Sequence, residues 1–141
     1  MAIQQGLTTS FKQQMLQGAQ NLAANTLKIA LYTANADLGP NTTTYTGTTN
    51  EVVGTGYSAG GITLTGVSIS ASSEGVVYVN FDNPAWANAS FTARGALIYN
   101  STQSNSSVAV LDFGADKTCS NQTFTVTMPA NTATTALIRF P

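Results

Sequence analysis

The chain contains no histidine and a single cysteine. The first absence removes the commonest general base and the commonest metal ligand together, and with them every Ser-His-Asp or Cys-His arrangement. The lone thiol, Cys119, builds no disulfide framework and cannot by itself supply a zinc site. A free thiol suits a reducing compartment, and here it reads as an ordinary loop or strand-end residue.

Charge is equally scarce. Asp, Glu, Lys and Arg make up 8% of the 141 residues, against about 25% in an ordinary soluble domain. With five basic and six acidic residues and a formal charge of −1, no basic patch exists to displace counterions from a phosphate backbone, so nucleic acid is not an expected partner. The longest apolar runs, such as Ala96-Leu97-Ile98-Tyr99, are strand-sized, far below the roughly 20 residues of a membrane-spanning helix, so no membrane partner is expected. The opening residues Met1-Ala2-Ile3-Gln4-Gln5-Gly6 lack both the basic and the apolar region of a secretory signal, and the expectation is a protein made in a cytosol and dissolved there. The Asn-X-Ser/Thr triplets at Asn41, Asn88, Asn100, Asn105 and Asn121 then read as a by-product of composition and not as glycosylation acceptors.

What remains is apolar and hydroxylic. Hydrophobic residues form 43% of the chain, enough to bury a core, and the length fits one domain over 1–141. Thr, Ser, Asn and Gln occupy the places where Lys and Glu normally sit, as in Asn41-Thr42-Thr43-Thr44. Near the start, Leu7, Phe11, Met15, Ala19 and Leu22 recur at three- and four-residue steps, predicting an amphipathic helix over about 7–23 with Thr8, Thr9 or Ser10 as its cap. Its opposite face, with Lys12, Gln13, Gln14, Gln17 and Gln20, is polar, so the helix lies against its own sheet or a neighbouring subunit.

Beyond it the period changes to two, with β-branched and aromatic residues between Gly, Asn and Ser clusters. Strands are expected near 27–33, 61–70, 76–81, 89–100, 107–113, 122–128 and 136–140. The runs Val76-Val77-Tyr78-Val79 and Val108-Ala109-Val110-Leu111 are continuously apolar, as central strands or strands covered on both faces are. Ser72-Ser73-Glu74-Gly75 reads as a hairpin turn, and 38–61, long and poor in apolar residues, as either a functional loop or a flexible arm. The pattern predicts an all-β fold, an antiparallel β-sandwich or jelly-roll-like barrel with one N-terminal α-helix.

Candidate chemistry is thin. Asp82, Asp112 and Asp116 could form a carboxylate pair or a calcium site, but each sits at a strand end or turn, where Asp caps the backbone. The Gly54-Thr55-Gly56…Gly60-Gly61 run fits neither phosphate-binding pattern, because a strand and not a helix follows it. No catalytic residue, metal or cofactor is expected. Arg94 falls in a strand otherwise built for burial, so Asp82 or Asp112 is expected to pair with it. Interface candidates are Phe11 and Met15 on the helix, Tyr45 and Tyr57 in the loop, and Trp86, for which core packing is the competing role. The same aromatics would serve a carbohydrate-binding module, the reading from a different class. A little-charged surface also predicts self-association, as a dimer or trimer.

Three stretches carry a resemblance: Leu27-Lys28-Ile29-Ala30-Leu31-Tyr32-Thr33, Gly54-Thr55-Gly56-Tyr57-Ser58-Ala59-Gly60-Gly61 and Phe91-Thr92-Ala93-Arg94-Gly95-Ala96-Leu97-Ile98-Tyr99-Asn100. Together with the Ser-Phe-Lys helix and the Thr/Ala-rich final strand, the chain resembles small virion structural proteins of tailed bacteriophages. The resemblance implies a place in the particle, as a capsid decoration or cement protein on the head or as a tail, neck or fibre-adaptor component. The partners it implies are further copies of the chain and the major capsid protein or other virion proteins.

Overall fold

The computed structural model describes residues 2–47 and 49–140. In chain order the elements are β1 (Gly6–Leu7), α1 (Thr9–Leu16), β2 (Leu27–Tyr32), β3 (Ile62–Thr63), β4 (Ser68–Ala71), β5 (Val77–Asn80), β6 (Ala85–Asn100), β7 (Ser106–Thr125) and β8 (Ile138–Phe140). Two sheets result, one of five strands in the order β1-β7-β6-β2-β3 and one of three in the order β4-β5-β8. Every pairing between named strands is antiparallel. The fold is thus mainly β, antiparallel, with a single helix near its start.

The helix begins where the sequence places it and stops early. Thr8, in extended conformation, accepts a hydrogen bond from Phe11 N at 3.3 Å through its Oγ1, which satisfies a free N–H of the first turn. Helical structure ends at Leu16 and not near 23, because Gly18 adopts φ +72° and its N–H closes on Met15 O at 3.3 Å. The following turns aim Gln20 inward instead of toward solvent. It is buried, and its Nε2 donates to Ser107 O at 3.2 Å and Gln14 Oε1 at 2.7 Å.

The strand pattern also departs from expectation at two points. Residues 61–70 divide at Gly66 (φ +65°), sending β3 to the large sheet and β4 to the small one. Conversely, 107–113 and 122–128 do not form separate strands. They belong largely to the single strand β7, whose middle stretch, turn-like in sequence, is held extended by pairing to β6 through Ala93↔Lys117 and Thr92↔Thr118. The expected Ser72–Gly75 turn does connect β4 to β5, closed by Gly75 N to Ser72 O at 3.2 Å.

Alternation along the central strands feeds two apolar clusters. Leu27, Ile29, Leu31, Ala96, Ile98 and Leu111 join Phe11, Val79, Phe81 and Ile138 in the larger one. On the opposite face Ala30, Tyr32, Leu97, Tyr99 and Val110 are covered by Ala36 and Leu38. Strands covered on both faces have no polar side to show, which accounts for the unbroken apolar run from Val108 to Leu111. Past this region β6 and β7 continue as a two-stranded ribbon that curls. A flat strand would separate Phe113 from Phe124 by roughly 35 Å, yet their ring centroids lie 6.3 Å apart. The bends fall at the register shift around Gly114 (φ +79°) and at those beside Asn88 and Asn121, both at φ +50°.

Candidate functional site

The stretch expected to be a functional loop or a flexible arm is bound to the sheet by one carboxylate. Glu51 pairs with the end of β2 through an isolated bridge to Tyr32. Its Oε1 accepts from Tyr45 Oη at 2.8 Å, and its Oε2 accepts from Tyr57 Oη at 2.6 Å and from Gly60 N at 2.7 Å. Tyr57 Oη in turn accepts from Leu31 N at 2.9 Å, and Tyr99 Oη donates to Gly60 O at 2.6 Å. Tyr45 stacks on Tyr99 with centroids 4.5 Å apart and planes 10° from parallel. The loop crosses β2 closely at Gly61 (φ +75°), where an added methyl would overlap the Ile29 carbonyl.

This surrounding holds the phenols protonated. Burial first, then the Glu51 charge, pushes the Tyr99 hydroxyl up to about 12, and burial beside the same carboxylate raises Tyr32, Tyr45 and Tyr57 further. A carboxylate ringed by phenols whose ionisation is pushed upward fastens the loop through a set of hydrogen bonds. The loop also walls a cleft of about 600 Å³, whose lining includes Tyr32, Asp37, Leu38, Thr42, Thr44 and Asn50. Among the described residues no cluster of three or more acidic or cysteine side chains is present to hold a metal ion.

The expected interface residues are mostly inward. Phe11 is fully enclosed and Trp86 is 3% exposed, so both serve the core and neither offers a surface to a partner. Met15 is half-buried against the same core. Trp86 packs edge-on to Phe124 at 6.0 Å, and Tyr57 packs edge-on to Phe91 at 5.8 Å. Tyr45 and Tyr57 fasten the loop through their hydroxyls. Cys119 is buried within β7, its Sγ 3.6 Å from Phe91 O.

Arg94 lies 3.7 Å from Asp112 and 3.8 Å from Asp116 on the outer side of the ribbon. Its Nε is enclosed without a hydrogen bond, so the contact is an ion pair too long to be a direct bond. Asp82 is not a partner of Arg94. It accepts instead from Thr65 Oγ1 at 3.3 Å, beside the Gly66 turn, because the β5–β6 connection carries it toward the β3–β4 connection.

The most open feature is the outer edge of β7. The pairing of β1 with β7 involves only Ala109 and Val110. From 112 to 125 no other strand among the described residues covers that edge. The exposed positions there and on β6 include Thr92, Thr118, Ser120, Thr123 and Thr125, and Thr92 and Thr118 share a hydroxyl hydrogen bond of 2.8 Å across the strands. No signal short of strand pairing would have found this edge, since 114–121 reads as a turn. No protein family model matches this chain, and neither does any curated protein or solved structure.

Proposed function

We propose that this chain is a non-enzymatic structural protein of a bacteriophage particle, a capsid decoration protein that binds the outer surface of the head shell and stabilises it. The observation that carries this reading is the hydroxyl-covered β6–β7 ribbon with an uncovered strand edge. Such a surface packs closely against protein because few ions must be stripped of water, and each displaced hydroxyl contact can be remade to a partner's backbone. The two-sided cover on the central strands and the Glu51 fastening add a rigid frame, and rigid surfaces lose little entropy on docking. The resemblance in 27–33, 54–61 and 91–100 points the same way.

A sugar-binding role through Trp86, Tyr45 and Tyr57 is disfavoured. The Trp86 ring is enclosed, and both tyrosine hydroxyls are committed to Glu51, which leaves those three rings no open platform on which a sugar could stack.

The test mixes the purified chain with phage heads and with complete particles, followed by co-sedimentation and electron cryomicroscopy. The expected result is repeated extra density on the head and particles that withstand a higher temperature. Density confined to the tail or neck would replace the head assignment by the tail alternative. Protein that stays in the supernatant with both preparations would overturn the particle reading.

A further inference from the structure

We infer that two copies of this chain associate by pairing their β7 strands antiparallel, about a two-fold axis at Thr118, so that each sheet continues into the other. The inference rests on the assembly role proposed above and names a partner for it: a second copy. It starts from the contrast between the two edges of the ribbon. The β6 edge is closed, since Ser90 N donates to Thr55 O at 2.9 Å and the backbone of Gly54 and Gly56 approaches β6 so closely that a side chain would collide there. The β7 edge beyond Leu111 is uncovered among the described residues. A row of unpaired N–H and C=O groups is a template for another strand.

Geometry limits how much of that edge can pair. The β6–β7 register shifts between Asp112 and Lys117, around Gly114 (φ +79°), and between Cys119 and Gln122, beside Asn121 (φ +50°), leaving 117–119 as the run in unbroken register. Such a run is at the short end of the range of strand lengths, so the register must place all of it against its copy. Two-fold pairing of identical strands keeps outer face with outer face, so a residue can lie opposite itself or a residue an even number of positions away.

Charge and the length of the run together choose the register, since only an axis at Thr118 sets 117–119 wholly against itself. An axis at Asp116 or at Lys117 would set like charges directly opposite each other, which destabilises a strand pair. An axis at Thr118 sets Lys117 against Cys119 of the second copy and keeps the two Asp116 residues from facing each other, and Asp116 already has Arg94 at 3.8 Å. The Thr92–Thr118 hydroxyl contact of 2.8 Å would then run on across the axis as an uninterrupted row of threonines. A net charge of −1 per copy adds little repulsion.

The experiment uses the full chain in sedimentation velocity at high micromolar concentration, with three kinds of variant. Thr118→Lys and Thr118→Glu, both at an exposed position, each place like charges on the axis, and each alone is expected to weaken dimerisation about tenfold or more. Their equimolar mixture is expected to recover a dimer, because Lys and Glu then face each other. In a Cys119→Ser background, Thr118→Cys is expected to form an intermolecular disulfide under mild oxidation. Opposed residues in antiparallel strands have Cα atoms about 4.5–5.5 Å apart, inside the disulfide range. Thr92→Cys is the control, since the two copies of that residue would be about 14 Å apart, three strand spacings.

Circular dichroism of each variant separates misfolding from lost association, and the recovery by mixing cannot come from a folding defect. A wild-type monomer, single variants that sediment like wild type, or a Thr92→Cys crosslink as efficient as Thr118→Cys would each overturn the pairing. A wild-type monomer whose binding to phage heads is abolished by Thr118→Lys would assign the edge to another protein's strand, which also overturns self-pairing. A chain that dimerises as described yet ignores particles overturns only the particle reading.

Discussion

Replacing Glu51 by alanine removes one half-buried side chain and breaks three hydrogen bonds at once, from Tyr45, Tyr57 and Gly60. A hydrogen bond to a charged group contributes about 1.5–3 kcal/mol. Water reaches part of this site and the three bonds share one acceptor, so their sum overstates the loss. The expected cost is about 3 kcal/mol. For a chain of this length that lowers the melting temperature by about 10 °C, using an unfolding entropy near 2.1 cal/mol/K per residue. Glu51→Gln retains one acceptor oxygen but turns an NH₂ group toward a donor, and about half the loss is expected. Urea denaturation at neutral pH measures the difference, and hydrogen exchange localises it to faster opening of residues 45–60. Tyr57→Phe should cost less in the Glu51→Ala background than in wild type, because the two side chains act together. A Glu51→Ala loss below about 0.5 kcal/mol, the range of an ordinary surface substitution, would refute the claim that this carboxylate holds the loop.

The remaining predictions concern pH, backbone and charge. The fold raises the phenol pKa of Tyr32, Tyr45, Tyr57 and Tyr99, the last to about 12, so the folded state holds protons that the unfolded state releases near 10. The stabilisation is therefore complete below pH 10 and lost as pH rises through 12. Phenolate absorbance from these four residues should appear together with the loss of circular dichroism, and ionisation of all of them near pH 10 in a folded chain would contradict this. Gly61→Ala should cost about 3 kcal/mol or prevent folding, since it combines a positive φ with overlap of the Ile29 carbonyl. Expression yield and thermal unfolding check it. Arg94→Met should change stability by less than about 1 kcal/mol, because its ion pairs are 3.7 and 3.8 Å long and partly exposed. A larger loss in urea denaturation would mean that the ion pair supports the ribbon.

Much of the architecture was legible because it rests on local rules. Period-two alternation with few charges is sufficient for an antiparallel β fold, and Thr8 three residues before Phe11 marks the start of a helix. The helix end was legible in principle from Gly18, but Ala19 and Leu22 continued the apolar rhythm beyond it. The asparagines carried a signal read only halfway. Asn88, Asn105 and Asn121 adopt positive φ and Asn100 caps the Ser101–Gln103 turn, uses that follow from the short amide side chain. The triplets they open read as a by-product of composition, while the backbone conformations that Asn88 and Asn121 adopt shape the ribbon.

What the sequence determined by itself was the class of fold, the poverty of catalytic groups and the choice of hydroxyls over ions for the surface, since composition and short-range spacing suffice for these. Tertiary structure alone decided which groups meet. Glu51 reaches Tyr45 and Tyr57 because β2 lies between β6 and the returning loop, and the turn-like middle of β7 continues the strand because β6 pairs with residues 117–119. Arg94 finds Asp112 and Asp116, and not Asp82, because of which strands are neighbours. Each of these contacts draws on segments far apart in the chain, and their energy exists only once the sheets have closed.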